Sequence, residues 1–267
     1  MTVTTPAHRG AARGGPPLTL VASVFAALFV ASLVAGSALA GGAFPSPFDH
    51  DSVIQAYFAG HRDAVRVGAV LQFGAAVPLA IFAAAVHARL HQLGIRVAGA
   101  TIALAGGLLA SGFATLSALL QWTLSRPAAT DQPALVSALH DLAFLTGGPA
   151  QVVAFGLLLA GIAVPALIVG LLPRWVAVAG LVLAAAAELS TLVLISPGFG
   201  LLLPLARFGG MAWLIVAGAK LPFTLTPRAA HRPDRLGRSA TAWTRVAGAG
   251  ACPPGAPRGS RRPQRRR

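Results

Sequence analysis

Long uncharged runs of apolar residues alternate with short polar segments along most of the chain. A helix needs about 20 apolar residues to cross about 30 Å of hydrocarbon, because each residue adds about 1.5 Å to its length. Six runs meet this requirement, at residues 18–40, 67–86, 97–120, 142–172, 175–195 and 201–219. The pattern therefore predicts an all-α protein, a polytopic bundle of six transmembrane helices.

The fourth run is longer than one membrane crossing requires. Gly147, Gly148 and Pro149 lie near its start, and proline is tolerated best in the first turn of a helix. We expect the regular helix of this span to begin at these residues, after a segment that lies in the membrane interface, and to end before Pro173.

The loop between the first two spans is predicted to contain a short helix after the turn at residues 45–47. Asp51 or Ser52 would cap it. One face of this helix would carry Val53, Ile54, Tyr57 and Phe58. Such a face is typical of a helix that lies in the interface, as a lid or as an extension of the second span.

Small residues recur every four positions in several spans, which lets a neighbouring backbone approach closely. In the third span they are Gly99, Ala103, Gly107, Ser111 and Thr115, in the first span Ser23, Ala27, Ala31 and Ala35, and in the fifth Gly180 and Ala184. These stripes predict contacts between helices of the same chain, with a dimer face as the alternative.

Basic residues concentrate in every second connecting segment, which fixes the predicted orientation. The basic segments hold Arg9, Arg13, Arg89, Arg96, Arg174 and the tail after Lys220. The alternate loops hold Arg62, Arg66 and Arg126 together with the aspartates Asp49, Asp51, Asp63, Asp131 and Asp141. Because cytoplasmic loops are enriched in Lys and Arg, both termini are predicted to be cytoplasmic. The preference for Arg over Lys and the abundance of Ala, Gly and Pro indicate a bacterial plasma membrane protein.

Composition supports this organisation and excludes several functional classes. The chain is 55% hydrophobic and 10% charged, with a mean hydropathy of +0.72, whereas soluble domains have about 25% charged residues. The single cysteine, Cys252, excludes an intrachain disulfide. No phosphate-binding glycine loop or nucleophile elbow is present, so no cofactor is predicted and an enzyme is the least favoured class.

Three regions are predicted: a cytoplasmic segment at 1–17, the membrane domain at 18–221 and an Arg- and Pro-rich tail at 222–267. The tail has few large apolar residues and is expected to be disordered. Arginines beside the inner leaflet would attract anionic lipids, in addition to the bilayer that surrounds the spans. Nucleic-acid binding is disfavoured, because no aromatic residues are interleaved with the charge.

Two charged residues, Glu188 and Arg207, lie inside the predicted spans, where a charge costs about 2.5–3.5 kcal/mol on insertion scales. Counting from the turn at 197–200 places them about 12 Å and about 10 Å below it on adjacent helices. We therefore predict that they form an ion pair. Gln72 and Gln151 fall at similar depths, with Gln121 nearer the end of its span, which predicts a polar cluster.

This polar cluster has two interpretations. In the first, it is hydrogen-bonding glue between the helices of a non-enzymatic, structural or regulatory protein. In the second, it lines a cavity of a small-solute or proton-coupled carrier, with Glu188 changing its protonation state.

No metal site is predicted. His87 and His91 have the i, i+4 spacing of zinc ligands but lack a third ligand, and Arg89 between them would repel a cation. The Asp and His residues of the loops, His140 and Asp141 included, are interpreted as solvated charge beside the ends of the spans.

Three segments resemble a group of multi-pass bacterial membrane proteins that is catalogued as a domain of unknown function. They are LQFGAAVPLAIFAAAVHARL (71–90), HDLAFLTGGPAQVVAFGLLLAGIAVPAL (140–167) and AELSTLVLISPGFGLLLPLARFGG (187–210). The resemblance extends over about residues 18–222 and excludes the Arg-rich tail. It implies a membrane helix bundle and supplies no activity.

Overall fold

The computed structural model describes residues 17–222, and every regular element in this part of the chain is helical. Nine α-helices follow one another within it: α1 (Leu18–Ala40), α2 (Asp51–Gly60), α3 (Arg62–Gln92), α4 (Ala98–Leu124), α5 (Pro127–Thr130), α6 (Pro133–Leu145), α7 (Gln151–Val169), α8 (Arg174–Leu189) and α9 (Leu202–Lys220). The predicted segment 1–17 and tail 222–267 lie outside the described residues, except for Pro17 and Pro222.

Six helical segments of the described residues are long and apolar enough to cross a membrane. They are Leu18–Ala40, Arg62–Gln92, Ala98–Leu124, Pro133–Val169, Arg174–Leu194 and Pro197–Lys220. This confirms the predicted all-α bundle with six spans and makes the chain a multi-pass membrane protein by the length and composition of its helices. Large apolar side chains such as Leu20, Val34 and Ile168 remain on the outside of the bundle, as a surface that faces lipid requires.

The spans form a closed ring in which each span packs on the next and the last returns to the first. Helix α1 packs on α3, α3 on α4, α4 on α7, α7 on α8, α8 on α9, and α9 on α1. The main core lies between α3, α4, α7 and α9, where the largest fully buried side chains include Leu79, Phe82, Leu158, Ile162 and Leu214. Every span therefore has two neighbours on which it can bury one face.

The fourth span differs from its prediction. It does not begin at Gly147, but runs from Pro133 to Val169 with a wide helical turn, Thr146–Ala150, in the middle. Gly148 leaves the helical conformation there (φ −93°, ψ −105°), and Pro149 has no N–H to continue the hydrogen-bond ladder. The helix is kinked at these residues instead of starting at them, because the segment before them packs on α4 and α2.

Two of the predicted small-residue stripes are contacts between spans. In α4, Gly107 lies against Ala83 of α3, and the Ser111 hydroxyl donates a hydrogen bond of 2.7 Å to the Ala76 carbonyl of α3. In α8, Gly180 lies under the indole ring of Trp213 from α9.

The stripe predicted for the first span is not its buried face. Helix α1 buries Leu18, Ala22, Phe25, Phe29 and Ser32. Ala27, one of the predicted stripe residues, is exposed. The larger side chains occupy the contact because they fill the space that α3 and α9 leave, which small residues would leave empty.

The short helix predicted in the first loop is present as α2. His50, with no capping side-chain bond, precedes it, and Ile54 and Phe58 are buried while Val53 is exposed. These two residues pack with Val65, Leu124 and Val136 at one end of the bundle. We call this end, which carries α2, α5 and the turn at 195–201, the α2 end.

Candidate functional site

A cavity of about 400 Å³ lies between α1, α3, α4, α6 and α9 and reaches the loop that precedes α2. Its volume is in the range of sites that bind small molecules. The polar side chains that line it are Ser32, Ser37, Tyr57, Gln72, Ser117, Gln121, His140 and Arg207, and its aromatic walls are Phe29, Phe44, Phe144 and Phe208. Among residues 17–222, no Asp or Glu lines the cavity. Its one formal charge is therefore the guanidinium of Arg207.

Arg207 lies in the second turn of α9 and points toward α1 and the kink of the fourth span. Its Nη2 donates a hydrogen bond to the Gly147 carbonyl, and its guanidinium lies 5.3 Å from the centre of the Phe29 ring. Its Nε is buried and has no hydrogen-bond partner in the described structure. The kink produces this arrangement, because the carbonyl in the distorted turn is open to a donor from another helix.

A cluster of neutral polar side chains joins α3, α4 and α6 beside the same turn. Gln121 Nε2 donates to Gln72 Oε1 at 3.0 Å, and the Ser117 hydroxyl donates to the Ala143 carbonyl at 2.8 Å. Two longer bonds of 3.4 Å run from the Gln72 and Gln121 amides to the Ser117 hydroxyl. A Cβ added at Gly147 would clash with Ser117 and lie 3.7 Å from Gln72 Nε2. The amide cluster and Arg207 therefore converge on Gly147.

His140 is the second buried polar side chain in the cavity whose hydrogen-bonding capacity is unused. It is 2% exposed, and its ring lies 5.4 Å from the Phe58 ring and 5.7 Å from the Phe44 ring. Neither ring nitrogen makes a hydrogen bond of ordinary geometry with the described residues. The backbone of Ser46 nevertheless lies close enough to interact electrostatically with the imidazole. Buried polar groups nearly always have partners, so this imidazole is unusual.

Tyr57 places a phenol at the α2 end of the cavity. Burial raises the pKa of this phenol above its ordinary value, so Tyr57 remains neutral at physiological pH and offers a hydroxyl group. Its ring also packs edge-on against Phe44 at 5.5 Å. Helix α2 is therefore part of the cavity wall and does more than extend the second span.

The predicted ion pair between Glu188 and Arg207 is wrong. Within residues 17–222 the one ion pair joins Arg66 and Asp63, 3.6 Å apart. Glu188 is exposed and lies beside Gly156 of α7, whereas Arg207 points to the opposite side, toward α1. Counting residues gives the depth of a side chain but not its rotation about the helix, and α8 ends at Leu189 in a tighter 3₁₀ turn, Ser190–Leu194.

The predicted polar cluster is only partly assembled. Gln72 and Arg207 line the cavity together with Gln121, but Gln151, which is also buried, and Glu188 do not. Sequence reasoning missed Ser117 and misread His140 as solvated loop charge. The spacing held a signal for Ser117, which lies one turn before Gln121 and shares its helix face. For His140 there was none, because the helix that carries it toward Gly147 was not predicted.

No protein-family model, no curated protein and no solved structure matches this chain.

Proposed function

We propose that this protein is a membrane-embedded binding protein or carrier for a small organic anion, which it binds in the cavity beside Arg207. The observation that carries this proposal is the part-buried guanidinium of Arg207, whose buried Nε has no partner and which no acidic side chain in the described residues faces.

A buried charge without a counter-ion is costly, and removing one partner from a buried pair typically costs several kcal/mol. A carboxylate ligand would supply the missing negative charge. Guanidinium groups bind carboxylates through two parallel N–H donors, and the Nε of Arg207 is one such donor without a partner. The amide nitrogen of Gln72 uses one of its two N–H groups on Ser117 and offers the other as a further donor beside Gly147. The phenyl rings on the walls suit an apolar ligand body.

A structural role is the second candidate. Arg207 joins α9 to the kink of the fourth span through the Gly147 carbonyl and packs on Phe29 of α1. In this role, which we call the latch, the hydrogen bond from Arg207 stabilises the kink. The cavity is then a consequence of the bend and has no ligand. This contact takes the place of the predicted structural pairing between Glu188 and Arg207.

The proposed location is the bacterial plasma membrane, with both termini in the cytoplasm and the tail beside anionic lipids. The distribution of arginines between the alternate loops supports this orientation. It directs the α2 end, and with it the cavity, to the outside of the cell.

The anion proposal is tested with benzoate and its neutral isostere benzamide on the purified, detergent-solubilised protein. Benzoate at ten times its Kd is expected to stabilise the fold by about 1.4 kcal/mol, with benzamide far less effective. Arg207→Met should abolish the benzoate effect, whereas Glu188→Gln, a charge change outside the cavity, should retain it.

Equal effects of benzoate and benzamide on the wild-type protein would overturn the anion proposal without any variant. No benzoate effect, combined with a lower melting temperature of Arg207→Met, would favour the latch instead. If Arg207→Met does not fold, Arg207→Lys keeps the charge but loses the fork of donors, and weaker benzoate binding is expected.

The orientation is tested by labelling single cysteines in intact cells. Cys252→Ser removes the natural thiol, and Ser37→Cys then places one at the rim of the cavity, where Ser37 is exposed. A membrane-impermeant maleimide is expected to label this cysteine from outside. The matched control is Gln92→Cys at the opposite end of the bundle, which should react only after the cells are permeabilised. The reverse pattern would contradict the proposed orientation.

A further inference from the structure

We propose that the bound anion carries a second hydrogen-bonding group and that His140 binds it, so that the cavity selects a flat apolar carboxylate with a polar group on the other side of its ring. Hydroxylated aromatic monocarboxylates are the simplest members of this class. The inference rests on the proposed anion site at Arg207 and adds the recognition of the other end of the ligand.

The first support is that the cavity contains two buried polar groups without partners, not one. These groups are the Nε of Arg207 and the two ring nitrogens of His140. All three atoms are buried, and none of them makes a hydrogen bond of ordinary geometry within the described structure. Leaving a buried polar group unpaired destabilises the protein. A ligand that reached both groups would satisfy them together.

The second support is the position of the two groups along one helix. His140 and Gly147, whose carbonyl accepts the hydrogen bond from Arg207, are seven residues apart in the fourth span. Seven residues are about two helical turns, which places both on one face about 10 Å apart. Two hydrogen bonds within that distance leave roughly 5 Å between the polar atoms of the ligand, which is about the separation of the hydroxyl and carboxylate oxygens in 3-hydroxybenzoate. This is the order of size of one substituted six-membered ring.

The third support is the packing that fixes the imidazole. Phe44 lies 5.7 Å from both Phe58 and His140, and Phe58 lies 5.4 Å from His140. The imidazole is thereby confined between two rings, and its orientation is determined before a ligand arrives. A pre-organised donor or acceptor of this kind contributes more to selectivity than a mobile one, because less conformational entropy is lost on binding.

Aromatic side chains also surround the space beside these polar groups. Phe29 and Phe208, 6.3 Å apart, line it near Arg207, and Phe144 lines it near the kink. Aromatic rings attract other rings in tilted and edge-to-face arrangements. The walls therefore favour a flat ring over a hydrated polar body such as a sugar acid.

The experiment compares the binding of benzoate with that of 2-, 3- and 4-hydroxybenzoate to the full-length protein in detergent. In the wild-type protein, 3-hydroxybenzoate is expected to bind about 5- to 10-fold more tightly than benzoate, as one additional hydrogen bond provides. The 2-hydroxy isomer, whose hydroxyl is next to the carboxylate, should show no such gain. This comparison requires no variant and so does not depend on whether a substitution folds.

The contribution of His140 is isolated by His140→Phe, which keeps the aromatic packing and removes both nitrogens. Benzoate affinity should remain within about 2-fold of wild type, while the ratio of 3-hydroxybenzoate affinity to benzoate affinity falls to about one. His140→Gln, which restores a hydrogen-bonding group, should recover part of the preference.

The outcomes separate this inference from the anion proposal. Benzoate binding without a preference for the 3-hydroxy isomer, or a preference that His140→Phe leaves intact, overturns the role of His140 and leaves the anion site standing. Failure of benzoate and all three isomers to bind overturns both.

Discussion

The contact between α4 and α7 and the cavity at the α2 end are both rich in small residues, yet the same residue type has opposite consequences in the two regions. At the α4–α7 contact, a Cβ added to Gly161 would lie 2.7 Å from the Ala103 Cα. At the cavity, a Cβ added to Gly36 would lie 3.9 Å from its nearest neighbour, the Ala64 carbonyl. In the first region, the backbone of the neighbouring helix fills the space that glycine leaves. In the second region, that space stays open.

The difference shows what a small residue does in a membrane bundle. Helices in lipid are not drawn together by the hydrophobic effect, so their contacts depend on close packing and hydrogen bonds. Gly161 permits such a contact because Ala103 is positioned to use the space. Near the cavity, no neighbouring backbone is positioned to use the space beside Gly36, so this glycine gives room to a ligand.

The largest expected effect is that of Gly161→Ala. The added methyl group must displace the backbone of α4, and overpacking of this kind costs about 1–3 kcal/mol or more. The matched control, Gly36→Ala at the cavity, should be neutral or slightly stabilising, because alanine is the better helix former. Thermal unfolding in detergent measures both. Equal melting temperatures for the two variants would show that the two regions are packed alike.

The second prediction concerns the contact between α8 and α9. Trp213 Nε1 donates a hydrogen bond of 2.7 Å to the Val176 carbonyl. Trp213→Phe removes this side-chain hydrogen bond, while the carbonyl keeps its place in the backbone ladder of α8; the expected cost is about 0.5–1.5 kcal/mol. Trp175→Phe is the control, because Trp175 is 66% exposed on the outer surface. A similar cost for both tryptophans would refute the assignment of the stabilisation to the hydrogen bond.

A smaller effect is expected for Ser111→Ala, which removes the hydrogen bond to the Ala76 carbonyl. Polar bonds between membrane helices contribute about 0.6 kcal/mol on average. Ser37→Ala at the rim of the cavity provides the comparison, since this serine is exposed. The unfolding free energies should differ by about that amount, and a larger loss in Ser37→Ala would argue against an open rim.

The smallest expected quantity is the coupling between Glu188 and Arg207. Because the two side chains form no ion pair, the effects of Glu188→Gln and Arg207→Met on unfolding free energy should add within about 0.5 kcal/mol. A double-mutant cycle in detergent measures this coupling. A coupling above 1 kcal/mol would restore the ion pair that the sequence suggested.

Much of the fold was predictable from the sequence, because hydrocarbon imposes a simple rule. Any segment that crosses it must be apolar, long and helical, and this rule placed all six spans. The kink was located at the right residues, Gly147 to Pro149, but was interpreted as the start of a helix. The glycines and the proline predict that the backbone hydrogen-bond ladder of a helix is interrupted there. Only the packing of α6 on α4 determines that a helix already precedes the interruption.

The candidate site was predictable only in part. Arg207 and Gln72 were identified because a polar group in an apolar run is conspicuous. Glu188 was equally conspicuous, yet it lies outside the cavity, and His140 was dismissed because it is near the end of its span.

The sequence by itself determined which residues must lie in the membrane and which of these carry a charge or polar group that costs free energy there. The tertiary structure alone decided which polar groups meet. Depth along a helix follows from counting residues at a fixed rise, but the direction of a side chain about the axis depends on where the helix bends and on which neighbours it packs against. A wide turn before α7 and a 3₁₀ turn after α8 changed those directions, and they separated Glu188 from Arg207 while Arg207 and His140 came to line one cavity.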